Sequence, residues 1–316
     1  MTLRKREKVV DQKQRELRRG LCTGTKVAAI LGMSKWRTPY DVYAQAKGLV
    51  GPPEKTDAMA RGLFLERGIL DYFEDVFQVE LERGMGTLVH PTDDWRGASP
   101  DGIYREDGGI VIVDAKTARE RKEWGAAGSD DVPIDYQLQL AWYASVVEAY
   151  YDVPVVGMRV ICYFPWVDEI STFNLTRDPA AEEEVIEKCR RWWWRHIIAN
   201  VSPPLDHGRC SSEVVKVPLA DDGMEELEYS DQLFLKELVS LKKEIKTMEV
   251  QKKAMENQLK AIIGGSTGVY GGGHRATWKE QSRGGGFDAT AFQRAHPELA
   301  AEFQKPARAF RVLRIK

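Results

Sequence analysis

Two aspartates and a lysine stand where they can share a metal ion and a phosphodiester. The first aspartate lies in Ser99-Pro100-Asp101-Gly102. The other two residues lie in Ile110-Val111-Ile112-Val113-Asp114-Ala115-Lys116-Thr117. The run from Ile110 reads as a strand, and residues two apart on a strand share a face. Asp114 and Lys116 therefore project together, while Ala115 points away and leaves its carbonyl available. Asp107-Gly108-Gly109 is a tight turn that folds residues 97–104 and 109–117 into a hairpin, and Asp101 then reaches the same side. Magnesium takes oxygen ligands and keeps several waters. Two such ions about 3.5–4 Å apart stabilise both the attacking and the leaving oxygen of a displacement. Lys116 either orients and deprotonates a metal-bound water or stabilises the pentavalent charge. Its position among carboxylates holds it protonated at rest.

A further oxygen ligand comes from upstream. The pattern predicts a helix from Ala58 to Phe77, capped by Asp57, with Met59, Leu63, Leu70, Phe73 and Phe77 as its apolar stripe. Glu66 falls on that stripe. A carboxylate facing a core is costly unless it is ion-paired or bound to metal. A buried salt bridge is one reading; with a metal signature downstream, the ligand reading is preferred. Asp101, Asp114, the Ala115 carbonyl and Glu66 together make a hard-oxygen cage.

These residues need a scaffold, and the rest of the chain supplies its elements. A basic helix is predicted over 4–19 and ended by Gly20, then short helices over Lys26 to Leu31 and Tyr40 to Ala46. Thr38-Pro39 supplies the cap and first turn of the latter. Strands are expected near 79–90, 97–104, 109–117, 155–164 and 169–175, with helices over 134–151 and 179–200. The helix over 134–151 is apolar nearly all round and therefore buried. This order of elements is that of an α/β (α+β) chain. Pro203-Pro204 then changes the texture. From Phe234, apolar residues recur at alternating steps of four and three through Leu238, Leu241, Ile245, Met248, Met255, Leu259 and Ile262, interrupted by Lys252. That is a heptad pattern, so an arm of coiled-coil or helical-hairpin type is expected. A hairpin around Gly271-Gly272-Gly273, a helix from Ala289 to Phe303 and a strand from Ala309 to Ile315 complete the chain. Three regions follow: a core over 1–210, a helical arm over 211–263 and a basic α+β tail over 264–316.

Composition narrows the class. Of the 316 residues, 43% are hydrophobic, which suits a globular chain with a sizeable core. No run approaches the roughly 18 apolar residues of a membrane span, and the charged N-terminus lacks an apolar signal region. A cytoplasmic protein with no membrane partner is expected. The net charge of −2 hides an asymmetry: residues 1–20 and 275–316 each carry +5. Basic ends around an acidic body suit local grip on phosphates, although solvated termini look the same. Cys22, Cys162, Cys189 and Cys210 include no CxxC pair, so neither zinc nor an iron–sulfur cluster is expected. Trp192-Trp193-Trp194 is tempting as a base-stacking platform, but three consecutive helical residues span most of the circumference, and one or two must be core.

Four blocks in order resemble the YqaJ-type phage recombination exonucleases, the lambda exonuclease-like branch of the PD-(D/E)xK nuclease superfamily. The first is Arg18-Arg19-Gly20-Leu21-Cys22-Thr23-Gly24-Thr25 with Ala28-Ala29-Ile30-Leu31-Gly32. The second is Arg61-Gly62 followed by Glu66. The third is Ser99-Pro100-Asp101-Gly102 with Asp114-Ala115-Lys116, and the fourth is Gln137-Leu138-Gln139. The resemblance spans roughly residues 15–200. It implies a restriction-endonuclease-like core, a mixed central sheet flanked by helices. It implies that Glu66, Asp101 and Asp114 bind metal, with Mg2+ as cofactor and Mn2+ as a substitute, that Lys116 is catalytic and that Gln137 completes the site. It also implies that Arg18 and Thr25 hold the 5′-phosphate of a DNA end. The activity implied is 5′→3′ digestion of duplex ends to 3′ overhangs for phage-type recombination. A single-strand annealing protein would be the partner, and the enzyme a homo-oligomer, a trimer among the options. Two features depart from the pattern: Asp114 replaces the glutamate common in relatives, and the long region after 210 has no place in a compact ring-shaped trimer. An endonuclease on the same fold and an inactive DNA-binding scaffold are the rival readings.

Overall fold

The computed structural model describes residues 3–51, 56–216, 224–281, 287–304 and 312–315, with side chains from residue 12 onward. Two compact units result, Met1–Val217 and Pro218–Lys316.

The first unit opens with α1 (Leu3–Gly20), β1 (Cys22–Thr23), α2 (Gly24–Ile30), α3 (Pro39–Ala46) and α4 (Asp57–Phe77). Thr38 and Asp41 form a reciprocal capping box on α3, with Pro39 in its first turn. The cap of α4 is Thr56, not Asp57: the Thr56 hydroxyl accepts from the Met59 amide at 3.2 Å. Short strands β2 (Glu82–Arg83), β3 (Leu88–Val89) and β4 (Arg96–Ala98) follow, then β5 (Gly102–Glu106) and β6 (Gly109–Thr117). The strand expected over 79–90 is thus two strands in different sheets. Gly84 and Gly86, at φ of +70° and +74°, break it where no extended residue could turn. The strand expected over 97–104 divides likewise around Ser99-Pro100-Asp101. The remainder is α5 (Ile134–Tyr151), β7 (Val155–Phe164), β8 (Glu169–Leu175), α6 (Pro179–Trp193) and α7 (Arg209–Val214). A π-helical turn, Trp194–Ile198, continues α6.

The main sheet is mixed, with order β2-β5-β6-β7-β8. β5 and β6 form the expected antiparallel hairpin, with Gly102 opposite Val113. β6 and β7 run parallel, with Asp114 opposite Val160 and Lys116 opposite Cys162. A parallel neighbour requires a crossover, and α5 provides it. A second sheet, β1-β4-β3, sits among the N-terminal elements. This is the α/β architecture expected, a mixed sheet flanked by helices.

Each face of the main sheet has its own cover. Ile110, Ile112, Val160 and Cys162 join the core around Leu140, Tyr143 and Val147 of α5. Val113 and Ile161 join a smaller cluster with Ile69, Leu70 and Phe73 of α4. Only the C-terminal half of α4 is buried; Met59, Leu63 and Phe77 are about half exposed. The predicted stripe is therefore core only at Leu70 and Phe73. Trp193 is fully buried against Trp95, whereas Trp194 is about half exposed.

The second unit contains α8 (Tyr229–Ile263), the hairpin β9 (Gly268–Gly271) and β10 (His274–Thr277), and helices α9 (Ala289–Ala295) and α10 (Pro297–Glu302). Pro297 divides the single helix expected over 289–303. Most of the strand expected over 309–315 lies outside the described residues, and 312–315 form no strand.

Asp41 ties α3 to α7. Its carboxylate accepts from the Cys210 amide at 2.8 Å and from the Thr38 amide at 3.1 Å. Burial would raise its pKa, but those two donors outweigh burial and hold it below the ordinary value. A depressed folded pKa contributes stability that is present above the unfolded pKa and lost as pH falls through the folded one. Asp41→Asn is expected to cost about 1–3 kcal/mol near neutral pH, a deficit that shrinks below the usual carboxylate range. Urea unfolding at a series of pH values checks this.

Candidate active site

The end of β6 carries the charged residues, and α5 lies over it. Alternation along β6 sends Ile110, Ile112, Asp114 and Lys116 toward α5. Asp114 is 1% exposed. Its Oδ2 is ion-paired to the Lys116 amine, and its Oδ1 accepts from Gln139 Nε2 at 3.3 Å. The same Gln139 amide donates to the Tyr143 hydroxyl at 3.1 Å. Asp101 enters from the connection before β5, and its Oδ2 accepts from the Ala115 amide at 2.9 Å. Tyr136 closes the far side, its ring centroid 5.1 Å from Lys116 Nζ.

These groups open onto one cleft of about 780 Å³, lined among others by Arg18, Thr25, Glu66, Asp101, Ala115, Lys116 and Gln139. Glu66 reaches it because the exposed half of α4 overhangs the sheet. It faces the cleft rather than the core, which is how its carboxylate is accommodated. Thr25 stands at the start of α2, 3.3 Å from the Thr23 hydroxyl. Arg18 arrives from the last turn of α1. The buried Lys26 amine pins that end by donating to the carbonyls of Arg18 at 2.7 Å, Leu21 at 2.5 Å and Arg19 at 3.2 Å. Gly24 brings α2 against α5: a Cβ there would lie 2.7 Å from the Tyr143 ring and 2.8 Å from the Gln139 carbonyl.

One expected residue is elsewhere. Gln137 donates to the Val132 carbonyl at 2.7 Å and lines a separate cavity beside Leu138 and Met158. Two residues along a helix are roughly 200° apart, so only one of Gln137 and Gln139 can face β6. Gln139 does. Its spacing to Tyr143, four residues on the same helical face, is the signal in the sequence that points to it. The all-round apolar character of α5 conceals which face meets the sheet.

Electrostatically the cleft is overloaded with acid. Burial and then the Asp114 charge raise the Asp101 pKa to about 8, and Glu66 is raised by burial and the same neighbour. Burial alone would lower the Lys116 amine; the charges of Asp114 and Asp101 outweigh it and hold the amine above its ordinary value. Three carboxylates thus face one ammonium. Hard oxygens with surplus negative charge are the donor chemistry that suits a divalent cation. Among the described residues, no three His, Cys, Asp or Glu side chains are drawn into a ready-made ligand cluster. Cys22, Cys162, Cys189 and Cys210 are buried free thiols.

Residues 14–150 match the YqaJ-like viral recombinase domain. The matched span contains the whole constellation, from Arg18 through Gln139 and Tyr143. The chain is 24% identical to the Bacillus subtilis protein YqaJ over 212 residues, which is 65% of this chain and 62% of that relative. Among solved structures it is similar to the alkaline exonuclease LHK-Exo from Laribacter hongkongensis in complex with dAMP, at 18% identity and a TM-score of 0.46, covering 64% of this chain and 94% of that one. A phage-related exonuclease from Haemophilus somnus is similar at 11% identity and a TM-score of 0.37, covering 57% and 96%. Among the described residues, no helix is long and apolar enough to cross a membrane.

The acid surplus has a stability consequence. Between the ordinary aspartate range and pH 8, Asp101 binds a proton when folded but not when unfolded, so its contribution to stability falls as pH rises. Asp101→Asn mimics the protonated form and can still accept from Ala115. It is expected to stabilise the metal-free protein at pH 8 by about 1–3 kcal/mol, with the gain vanishing toward pH 4. Thermal melts in chelator at both pH values check this.

Proposed function

We propose that this chain is a metal-dependent deoxyribonuclease, and more specifically an exonuclease that digests duplex DNA ends 5′→3′ and leaves 3′ overhangs for phage-type recombination. The observation that carries the reading is the convergence of Glu66, Asp101 and Lys116 on one cleft that also takes in Arg18 and Thr25, with the buried Asp114 ion-paired to Lys116 behind it. The match to the YqaJ-like viral recombinase domain over the same residues supports it.

Each residue has a task in this reading. Glu66, Asp101, Asp114 and the Ala115 carbonyl would hold Mg2+, with Mn2+ as a substitute. Bound there, the ion would polarise the phosphodiester and lower the pKa of water. Lys116 stays protonated because Asp114 and Asp101 surround it, so it serves as a fixed positive charge for the developing phosphorane rather than as a resting base. Gln139 holds the Asp114 carboxylate from above and, with Tyr143, fixes its orientation. Arg18, with a guanidinium suited to bidentate phosphate contact, and the Thr25 hydroxyl would receive the 5′-phosphate of the end. A single-strand annealing protein would load on the overhang. The work would take place in the cytoplasm of a phage-infected or lysogenic host cell.

Linear and covalently closed circular duplexes, each with magnesium, separate this reading from its rival. The linear form is expected to be degraded and the circle spared; cleavage of the circle would make the protein an endonuclease. Asp101→Ala and Lys116→Ala are each expected to lower the rate at least about a thousandfold while leaving the fold intact by circular dichroism. Gln139→Ala is expected to lower it far more than Gln137→Ala. Arg18→Ala is expected to erase the preference for a 5′-phosphorylated over a 5′-hydroxyl end. Activity retained by Asp101→Ala or Lys116→Ala would refute the site.

A further inference from the structure

Among the described residues, the longest helix, α8, leaves most of its apolar seam exposed. In the heptad of α8, Leu238, Ile245, Lys252 and Leu259 take the a positions and Leu241, Met248, Met255 and Ile262 the d positions. Leu241, Ile245, Met248, Met255 and Ile262 are between 47% and 72% exposed. A helix of 35 residues with such a seam is built to be paired.

We propose that α8 pairs with α8 of a second copy of this chain, as an antiparallel two-stranded coiled coil centred on Val250. This inference does not depend on the nuclease reading. It follows from the positions themselves. In an antiparallel pair, each a position meets a d position of the other helix. With the two-fold axis at residue 250, Leu238 meets Ile262 and Leu241 meets Leu259. Ile245 meets Met255, and Met248 meets Lys252. Every a position from 238 to 259 finds a d partner, and the register closes on itself.

Charges at the flanking positions favour the same arrangement. At the e positions, Lys242 falls opposite Glu256 of the second copy, twice by symmetry. Glu249 falls opposite its own copy, but the two Lys252 side chains lie one turn away in the adjoining layer and offset that repulsion. A parallel in-register pair is worse. It sets Lys252 against Lys252 in the core, and its two Glu237–Lys242 pairs are cancelled by two Glu244–Glu249 clashes. A polar residue at one a position costs stability but selects register and orientation; Lys252 does so here. Each copy contributes seven apolar seam residues between Leu238 and Ile262. Two such faces along about 36 Å of helix reach the roughly 1,000 Å² that a specific interface needs.

The test uses the full chain. Its four native cysteines are buried, so an introduced thiol can be cross-linked with a short bismaleimide. Glu249→Cys is expected to cross-link to itself between copies, and Leu241→Cys is not, because the latter meets its own copy only in a parallel pair. By light scattering, Ile245→Glu is expected to halve the mass. Lys242→Glu is expected to weaken association roughly three- to tenfold, and the double variant Lys242→Glu/Glu256→Lys to restore it. Circular dichroism confirms that each variant keeps its helix. Mass unchanged by Ile245→Glu overturns the proposal, as does cross-linking at 241 in place of 249 or no rescue by the charge swap.

Discussion

Asp114 sits almost wholly out of water at the end of the central parallel strand pair, and it stays there because two neighbours meet its oxygens and its charge. Lys116 neutralises it from the same strand face, and Gln139 donates to it from the crossover helix. Asp101 takes the adjacent backbone amide and holds the hairpin partner close. An isolated carboxylate at this depth would be prohibitively costly. Much of the fold can be understood as the means of bringing those neighbours in. The β6–β7 pairing is parallel, so a helix must cross over the sheet. That helix must present Gln139 and Tyr143 downward, and Gly24 must let α2 approach closely enough to seal the end.

The balance in this cleft is deliberately unfavourable to the protein alone. Burial and the Asp114 charge raise the proton affinity of Asp101 and Glu66, and a single ammonium cannot neutralise three carboxylates. Such a site stores destabilisation that a bound cation would relieve. Lys26 shows the complementary strategy at the rim. A buried amine satisfied by three carbonyls anchors the end of α1 and so sets where Arg18 can reach.

The second unit follows different physics. The feature that organises α8 is a repeating apolar seam. Its information is linear, written in steps of three and four and in the signs of a few flanking charges. Such a seam bears on assembly independently of the acidic cleft of the first unit.

The meeting of Asp101, Asp114 and Lys116, the β5–β6 hairpin beside which they meet, the buried α5 and the heptad of α8 were all legible in the sequence. Each depends on short-range rules: alternation along a strand, turn chemistry at Asp107-Gly108-Gly109, and periodicity along a helix. What the sequence could not determine were choices made by packing. Which of two glutamines faces β6 depends on the rotation of a helix that is apolar on every side. Whether Glu66 lies in a core or over a cleft depends on how far α4 extends past the sheet beneath it. Where 79–90 and 97–104 divide depends on which of two sheets accepts each fragment. Those outcomes are set by contacts between residues far apart in the chain, and local pattern carries no information about a partner it has not yet met.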